Sequence, residues 1–402
     1  MTYLKNVKMG FLLLCLGCSQ YTSSETQNEV DESTEIVNID LVTNKIISLD
    51  SILEPNSIEF IALETTDESL IGGVDKIFFA DSSYIIYDGQ LERILKFKNS
   101  GSYERKIGRL GKGIMEYTQI RSLFYNQWSN TMDLMDVSRK LIQYDVASGE
   151  ALEESRLVFD NFSLDAIYPA GKELSFLYNN FRFDMNAPED TLYRLFFLNK
   201  NKVEYMSFPY PYIKDRTVFP TSSMFNFYTY QNKVHFFEPF NSVVYLLTEN
   251  GPTPKYNIQY EFSKSSYESR LENLLTESLH QNRTSLNKVM ETDKYLFLEF
   301  SEIIKGQKRG FRRFSLYDKH NRKCIANSIY SFFIEELALE VFLHQLSDNS
   351  FIAVVPAGII IKYQKAYKEV LTDNEITPMK QKVLNLTVNE FDNPILLLMK
   401  IR

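Results

Sequence analysis

The amino-acid sequence predicts an all-β fold, a six-bladed β-propeller built from four-stranded antiparallel blades. Three observations lead to this prediction. One segment contains four short β-type runs joined by turns, the same pattern recurs about every 50 residues, and unpaired β-type runs stand near both ends of the chain. Sheets arranged around an axis cover both faces of each sheet, so a repeated meander favours a propeller.

The clearest meander lies between Lys76 and Tyr117. Its runs are short and rich in β-branched and aromatic residues, which favours strands over helices. The four runs are Ile77–Phe79, Tyr84–Tyr87, Ile94–Phe97 and Tyr103–Ile107. Asp88-Gly89 and Asn99-Ser100-Gly101 are turn signals between the later runs. The segment therefore predicts one four-stranded blade.

The turn after the third strand of this meander is a marker for counting repeats. It recurs four times, at Ala147-Ser148-Gly149, Asn199-Lys200-Asn201, Glu249-Asn250-Gly251 and Lys319-His320-Asn321. Its spacing of about 50 residues is typical of one propeller blade. A sixth unit without a clear marker is predicted at Phe351–Val355 with Gly358–Tyr363. A β-sandwich or two separate β domains is the alternative.

The longest interval between markers contains a different pattern. Apolar residues recur there at helical spacing among charged and polar residues. They are Leu271, Leu274, Leu275 and Leu279. This spacing predicts an amphipathic helix inserted at about 266–286, and subtracting it restores the common period.

The two ends of the chain are predicted to close the ring. Asn393–Ile401 is a β candidate at the C-terminus, and Thr34–Leu49 with Ile58–Leu63 supplies β-type runs near the N-terminus. Pairing strands from both ends in one blade would seal the ring. Before the last strand, Met379–Phe391 follows Pro378 with apolar residues near helical spacing, which predicts a short helix.

Composition indicates a globular chain and argues against nucleic-acid binding. The 402 residues are 44% hydrophobic and 24% charged, and the formal net charge is -8. A nucleic-acid surface would need clustered lysine and arginine. The nearest basic cluster, Lys305–Arg313, lies between two β-type runs and is interpreted as a solvated hairpin tip. No nucleic-acid partner is therefore predicted.

The first residues have the pattern of an export signal. Lys5 and Lys8 precede an apolar run, Phe11–Leu16, and a small residue then precedes Cys18. This resembles the lipobox of bacterial lipoproteins, in which the chain is cut before a cysteine that carries a diacylglycerol. Cys15 stands where leucine is commonest in that motif. An ordinary cleaved signal peptide is the alternative.

The resulting domain organisation has three parts. They are a lipoprotein signal peptide at 1–17, a flexible tether at 18–35 and the propeller at 36–402. Ser19 is not the aspartate that marks inner-membrane retention in some bacteria, which favours a lipid anchor in the outer membrane. The periplasmic or surface side stays open. The mature chain would keep one cysteine, Cys324, so no internal disulfide is predicted.

Three stretches together resemble a known family. They are Ile107–Tyr117 (IGRLGKGIMEY), Leu63–Gly72 and Glu390–Leu396. All three are similar to segments of the six-bladed β-propeller lipoproteins of Bacteroidetes, relatives in shape of TolB-like and NHL propellers. Ile114-Met115 departs from the Pro-Gly usual in that family. The resemblance implies a propeller fold and a lipid anchor, and it implies no settled activity.

Local motifs for catalysis or metal binding are missing from the sequence. There is no G-x-S-x-G, H-E-x-x-H, phosphate-binding loop or dinucleotide glycine pattern. The histidines are far apart; they are His235, His280, His320 and His344. Two carboxylate pairs could bind Ca²⁺ at a channel mouth, with blade-turn residues as the alternative; they are Asp133 with Asp136 and Asp184 with Asp190. No cofactor is predicted, because Ca²⁺ has no motif to support it.

One candidate ligand site is the Gly-rich connection. Arg109, Lys112, Glu116 and Tyr117 lie between the outermost strand of one blade and the innermost strand of the next. Such connections line one rim of a propeller channel, where these charges could hold an anionic or zwitterionic ligand. In the structural alternative, Gly111 and Gly113 supply positive φ and Glu116 accepts hydrogen bonds from free backbone N–H groups.

A second candidate surface is aromatic. Tyr210 and Tyr212 belong to a proline-stiffened loop, Phe208–Tyr212, that precedes Phe225–Tyr228. Their rings offer faces for sugar or peptide contact, and a loop packed over a blade is the alternative. Trp128, the only tryptophan, is predicted in an inter-strand turn with partial exposure.

The favoured function is a lipid-anchored binding or scaffold module. Its channel rim would engage a peptide, a glycan or a partner protein of the cell envelope. The alternative is a propeller hydrolase or lyase with a divalent metal in the channel. Carboxylates from several blades would hold such a metal, so no local motif would reveal it.

Overall fold

The strands gather into blades largely in their order along the chain. The computed structural model describes residues 34–41, 44–156, 164–179, 192–200, 202–210, 226–238, 241–260, 283–303, 310–372 and 375–402. Five of the sheets contain four consecutive antiparallel strands. The described part of the chain forms a β-propeller of seven sheets, which we number as blades 1 to 7.

Blades 1 to 3 each consist of four strands joined as a meander. Blade 1 contains β4 (Lys76–Ala80), β5 (Ser83–Asp88), β6 (Arg93–Lys98) and β7 (Tyr103–Ile107). Blade 2 contains β8 (Ile120–Asn126), β9 (Thr131–Asp136), β10 (Lys140–Asp145) and β11 (Ala151–Arg156). Blade 3 contains β12 (Leu164–Pro169), β13 (Leu174–Asn179), β14 (Leu192–Asn199) and β15 (Lys202–Tyr210).

Blades 4 and 5 continue the series, and blade 4 gains a fifth strand. Blade 4 contains β16 (Phe227–Tyr230), β17 (Lys233–Phe237), β18 (Val243–Thr248) and β19 (Gly251–Gln259), with β1 (Glu35–Asn38) added in parallel beside β19. Blade 5 contains β20 (Arg283–Glu291), β21 (Tyr295–Ile303), β22 (Phe311–Asp318) and β23 (Lys323–Ser328).

Blades 6 and 7 combine strands from both ends of the chain. Blade 6 contains β2 (Ile47–Ser48), β24 (Phe332–Ile334) and β25 (Leu339–Val341), with a 3-10 helix at Glu335–Leu337. Blade 7 contains β26 (Leu343–Gln345), β27 (Ser350–Val355), β28 (Ile395–Lys400) and β3 (Glu59–Ala62). Two helices lie between β27 and β28: α1 (Ala357–Val370) and α2 (Pro378–Leu384).

The prediction of six blades is wrong, because the structure has seven sheets. The unpredicted one is blade 6, which has only three strands. Its strand β2 comes from near the N-terminus and pairs in parallel with β24, while β24 and β25 form a short hairpin. Such a sheet contains no four-strand meander and no turn marker, so counting repeats along the sequence misses it.

The turn markers and the first meander are confirmed. All five marker turns lie between the third and fourth strands of a blade. Gly101 shows why glycine is needed in the first of them: its φ is +89°, and a Cβ there would lie 2.1 Å from the Ala62 carbonyl oxygen. Both the backbone conformation and the close approach of blade 7 exclude a side chain.

Burial differs between the middle and the outer strands. Every residue of β5 is buried, because the neighbouring blades cover both faces of the strand. The outermost strands β7 and β11 expose much of their charged sequence. Charged side chains on an edge strand discourage pairing with other chains. The hydrophobic core therefore lies between neighbouring blades rather than on one side of a single sheet.

Ring closure by the last strand is confirmed by its pairing. Strand β28 lies between β27 and β3, with Leu396 opposite both Val354 and Ile61. Thr34–Leu49 does not take part, because its strands β1 and β2 join blades 4 and 6 instead. The hydrophobic pattern identified these strands, but it does not show with which strand of which blade each of them pairs.

Two predictions near the C-terminus differ from the structure, and both concern helices. Gly358–Tyr363 was predicted as a strand but belongs to α1, whose buried residues Ala357, Ile360 and Tyr367 recur on one helical face. Three consecutive isoleucines hide this spacing in the sequence. The helix predicted after Pro378 is present as α2, capped by the Thr377 side chain, but it ends at Leu384 rather than near Phe391.

Several predicted segments lie outside the described residues. They include the signal peptide, Cys18 and most of the tether, together with most of the predicted insertion at 266–286. The last residues of that insertion, from Arg283, are strand β20 rather than helix. Most of the basic cluster Lys305–Arg313 is also outside, between the antiparallel strands β21 and β22.

Candidate ligand site in the central channel

Blade 2 holds the Gly-rich connection between β7 and β8 in place. The Lys140 ammonium donates hydrogen bonds to the carbonyl oxygens of Gly113 (2.7 Å) and Glu116 (3.0 Å). The Tyr144 hydroxyl donates to the Met115 carbonyl oxygen at 3.0 Å. The backbone of the connection is therefore fixed by hydrogen bonds from side chains of blade 2.

Glu116 explains the two glycines, although not through positive φ. Its carboxylate accepts a hydrogen bond from the Gly113 backbone N–H at 2.9 Å. A Cβ on Gly111 would lie 2.0 Å from the same carboxylate oxygen, so a side chain there would displace the Glu116 carboxylate from this position. The positive φ angles occur instead at Gly108 and Met115. The expectation of positive φ at Gly111 and Gly113 is wrong.

The predicted ligand contacts on this connection separate into exposed and buried groups. Arg109 is largely exposed and lies 3.9 Å from the Glu116 carboxylate, and Lys112 is exposed. Tyr117 is buried, and its hydroxyl donates to the Glu92 carbonyl oxygen at 3.0 Å. Burial raises the pKa of Tyr117. A ligand role for the exposed charges stays a prediction.

The predicted aromatic surface is only partly described. Tyr210 is the last residue of β15, and its side chain is outside the described part of the structure, as is the whole of Tyr212. Phe208 is buried and packs edge-on against Tyr245 at 4.9 Å between ring centroids. This ring belongs to the core between blades 3 and 4, and it lies on strand β15 rather than in the predicted loop.

A cavity of about 570 Å³ occupies the channel at the opposite end from the Gly-rich connection. Its lining comes from the innermost strands β4, β8, β12, β16, β20 and β26 and from turns that follow some of them. Gln127 and Trp128 follow β8, whereas the Gly-rich connection precedes that strand. Blade 6 contributes no residue to this lining among the described residues.

Basic side chains line one side of the cavity, and we call them the basic wall: Lys76, His344 and Lys288. They lie on β4, β26 and β20, the innermost strands of blades 1, 7 and 5. The Lys76 ammonium donates to the Leu123 carbonyl oxygen at 3.0 Å, and the Lys288 ammonium donates to the Leu343 carbonyl oxygen at 2.7 Å. Both lysines are thus aimed at neighbouring innermost strands.

Burial lowers the pKa of every member of the basic wall. It lowers the pKa of Lys76 from 10.5 to about 7. It lowers the pKa of Lys288 to about 8, with Glu299 acting in the opposite direction. His344 has a pKa of about 3 because of burial and the nearby charge of Lys288, so its imidazole is neutral at physiological pH. Keeping the buried ammonium groups of the wall charged therefore costs free energy. A bound anion would offset part of this cost.

Aromatic rings line the other side of the cavity, and we call them the aromatic wall: Phe124, Tyr168 and Phe227. They lie on β8, β12 and β16, the innermost strands of blades 2, 3 and 4. Tyr168 meets Phe124 edge-on at 4.6 Å and stacks on Phe227 at 5.2 Å between ring centroids. Its hydroxyl shares a 2.7 Å hydrogen bond with Thr229. The two walls meet where the Lys76 ammonium lies 3.7 Å from the centroid of the Phe124 ring.

Polar side chains and one tryptophan surround the mouth of the cavity. Trp128 is 39% exposed, in the turn where the sequence predicted a partly exposed ring. The Gln127 amide donates to the Asn232 side-chain oxygen at 3.4 Å, linking blades 2 and 4. The Asp348 carboxylate accepts a hydrogen bond from the Gln231 backbone N–H at 3.0 Å. Asp348 is the only acidic residue in the lining of this cavity among the described residues.

A second cavity of about 620 Å³ lies beyond the basic wall. Lys288, Met290 and His344 line both cavities and form the partition between them. The second cavity has a more acidic lining, which includes Glu299 and Asp392. The two compartments therefore differ in charge.

A buried polar network close to the cavity is fully satisfied within the protein. Glu291, at the end of β20, pairs with Lys319 at 2.8 Å and Lys255 at 2.9 Å and accepts hydrogen bonds from Tyr256 and Tyr228. Burial alone would raise the pKa of Glu291, but the two lysines hold it below its usual value. This network ties blade 4 to blade 5, and its groups are not available for a ligand.

The remaining candidate residues are dispersed. Asp136 accepts hydrogen bonds from Ser138 in a blade turn, and Asp133 accepts them from Thr131 and Asn126. Asp136 thus has the blade-turn role, whereas Asp133 lies within strand β9. Asp184, Asp190 and His280 lie outside the described residues. Within the described ranges, no group of three or more His, Cys, Asp or Glu side chains could hold a metal ion.

His235 and His320 lie apart from the cavity. The His235 ring stacks on Tyr228 at 4.8 Å, and its pKa is lowered to about 4 by burial and the charge of Lys255. His320 lies in the turn between β22 and β23. Neither histidine lines the channel cavity, so His344 alone among the described histidines does so.

Sequence reasoning missed the basic wall. Lys76 begins the first strand of the clearest meander, and Lys288 and His344 stand within short apolar runs. A charged residue in the innermost strand of a propeller points either into a neighbouring blade or into the channel. Aligning the innermost strands of all blades would have brought these residues together, whereas a search for local motifs could not.

The comparisons with known proteins define a family and a fold. The family model described as "Domain of unknown function (DUF4934)" matches residues 34–400. A protein from Bacteroides fragilis NCTC 9343, described as exported, has a similar structure with a TM-score of 0.64 and 19% identity, covering 91% of this chain and 99% of that one. A DUF4221 family member from Bacteroides vulgatus ATCC 8482 has a TM-score of 0.48 and 12% identity, covering 87% and 99%. No curated protein matches the sequence.

The similarity to the Bacteroides fragilis structure agrees with the fold described above. The first of these structures covers nearly the whole chain, which supports the propeller architecture and carries nothing about activity. Within the described residues, no helix is long and apolar enough to cross a membrane.

Proposed function

The chain belongs to the DUF4934 family, a domain of unknown function, and we propose that it acts as an extracytoplasmic binding module with its ligand site in the channel cavity. The cavity volume of about 570 Å³ is in the range of small-ligand sites. Its lining combines aromatic rings with a few convergent polar groups, the usual composition of such sites. The ligand would be a glycan, a peptide or an exposed segment of an envelope protein.

In this proposal the ligand site lies in the channel, whereas the sequence suggested a site on the rim. At the rim, Arg109 and Lys112 are exposed charges on a connection that other residues hold rigid. In the channel, the ammonium groups and rings are already ordered and partly dehydrated. Binding a ligand there therefore costs less conformational entropy than binding it to the exposed side chains of the rim. A preorganised cavity is therefore the better supported ligand site.

Trp128 provides a direct test of this function. As the only tryptophan, it stands at the mouth of the cavity with 39% of its surface exposed. We expect a ligand that enters the cavity to change the tryptophan emission and to raise the thermal unfolding temperature at the same concentrations. The purified protein would be titrated with acidic and neutral oligosaccharides and short peptides, following both signals.

A relocated tryptophan provides the matched control. Trp128→Phe combined with Tyr330→Trp moves the reporter to an exposed position in the chain outside the cavity lining. The same ligand should still stabilise this variant without changing its emission. A ligand that stabilises the native protein while leaving Trp128 emission unchanged would show that the site lies elsewhere.

We also propose that the protein is anchored by lipid on Cys18 in the outer membrane. The lipobox-like sequence before Cys18 supports the anchor, and the exported relative supports a location outside the cytoplasm. Cys18→Ser should abolish incorporation of a labelled fatty acid and release the protein from the membrane fraction. Unchanged labelling and fractionation of this variant would refute the anchor without affecting the channel site.

A further inference from the structure

We infer that the channel cavity binds an acidic sugar, a pyranose ring that carries a carboxylate or sulfate group. This inference rests on the proposed binding function and adds the chemical class of its ligand. The negative group would meet the basic wall, and the ring would lie against the aromatic wall. The inference comes from the division of one cavity into two chemically different sides.

The basic wall lacks an internal counter-ion where it is most deeply buried. Lys76 is 5% exposed, and its ammonium lies 3.7 Å from the centroid of the Phe124 ring. Within the described part of the chain, Lys76 has no ion pair with a carboxylate. A buried charge is normally paired, so a lysine that contacts only a carbonyl and a ring face is an uncommon arrangement. An anionic ligand group would supply the missing charge-assisted hydrogen bond.

The remaining charges around the wall leave it positive. Asp348, the acidic residue in the lining, already accepts hydrogen bonds from the Gln231 backbone N–H near the mouth. Glu299 and Arg312 act on Lys288 from the side of the second cavity, with opposite effects on its pKa. His344 is neutral and offers a hydrogen bond rather than a charge. The anion would therefore be held mainly by Lys76 and Lys288.

The aromatic wall and the amides specify the rest of the ligand. Stacked and edge-on rings present an apolar face of the kind against which a sugar ring can lie. The amide side chains of Gln127 and Asn232 line the same cavity, and beside their mutual hydrogen bond they have further donor and acceptor positions that could bind hydroxyl groups. A simple aromatic acid would fill the ring contacts but has no hydroxyl groups for these positions. A sugar acid satisfies both sets of groups.

Binding should depend on pH through the two lysines. Anion binding requires the ammonium form, and in the free protein the pKa values of Lys76 and Lys288 are about 7 and 8. Affinity for an acidic sugar is therefore expected to fall as pH rises through this range, with proton uptake on binding. A neutral sugar of the same size should show no such dependence.

The test compares matched ligands and matched variants by Trp128 emission and calorimetry. The ligands are a uronic-acid disaccharide, a sulfated disaccharide, their neutral counterpart and an aromatic carboxylic acid. We expect the acidic disaccharides to bind at least about tenfold more tightly than the neutral one. Lys76→Met and Lys288→Met should each remove about tenfold or more of that preference. Lys202→Met is the control, because Lys202 is exposed and outside the cavity.

The outcomes separate this inference from the proposed function. Preference for the carboxylate or the sulfate form identifies which anion the wall accepts. Equal binding of neutral and acidic disaccharides would overturn the inference and leave the binding function intact. Tighter binding of the aromatic acid would overturn the assignment to sugars. If every ligand that stabilises the protein leaves Trp128 unaffected, the channel site itself fails.

Discussion

Deletion of the last eight residues, Ile395–Arg402, is expected to prevent folding. These residues include the whole of β28, which pairs with β27 on one side and β3 on the other. The side chains that would be lost include four with no exposed surface: Ile395, Leu396, Leu397 and Met399. At about 1.5–3 kcal/mol each, their burial contributes about 6–12 kcal/mol, comparable with the whole stability of about 5–15 kcal/mol of a typical domain.

Circular dichroism and thermal unfolding of the truncated chain would measure this effect. Removing only Arg402 is the control, since it deletes two hydrogen bonds, to the carbonyl oxygens of Leu53 and Ile52, and leaves β28 complete. The control should unfold cooperatively near the native temperature. A truncated protein with an unchanged unfolding temperature would mean that β28 does not hold the ring closed.

Replacing Lys76 by methionine is expected to stabilise the protein while weakening its binding of acidic ligands. Burial lowers the pKa of this lysine from 10.5 to about 7. At about 1.4 kcal/mol for each pH unit, removing the buried amine should raise the free energy of unfolding by up to about 5 kcal/mol. Methionine has a similar length and can keep the packing against Phe124.

The stabilisation by Lys76→Met should depend on pH because the pKa of Lys76 is lower in the folded protein. Between pH 7 and 10.5 the unfolded chain binds more protons at Lys76 than the folded chain, so native stability rises with pH through this window. The advantage of Lys76→Met should therefore be complete below about pH 7 and vanish above about pH 10.5. Denaturant unfolding at a series of pH values measures it, with Lys202→Met as the exposed control.

A destabilised Lys76→Met variant would contradict this account. It would mean that the hydrogen bond to the Leu123 carbonyl and the contact with the Phe124 ring outweigh the cost of burying the charge. A stabilised variant that loses acidic ligands would show that the native protein tolerates a buried charge at its ligand site. Such a trade between stability and binding is common in functional sites.

The local architecture could be predicted from the sequence alone. Short apolar runs between Gly, Asn and Asp turns predicted the meander at Lys76–Ile107, the marker turns and the closing strand at the C-terminus. It also indicated the partly exposed turn that carries Trp128 and the blade-turn role of Asp136. These features depend on residues close together in the chain, so periodicity and turn chemistry are enough to find them.

The number of sheets and the composition of the channel depend on contacts between residues far apart in the chain. Blade 6 is completed by the pairing of β2 with β24, and β1 joins blade 4 by pairing with β19. In both pairs the two strands are far apart in the sequence. The basic wall unites Lys76, Lys288 and His344 from three blades, at positions that follow no sequence spacing. Strand pairing across long separations and convergence on a common axis are properties of the closed ring, which no local pattern encodes.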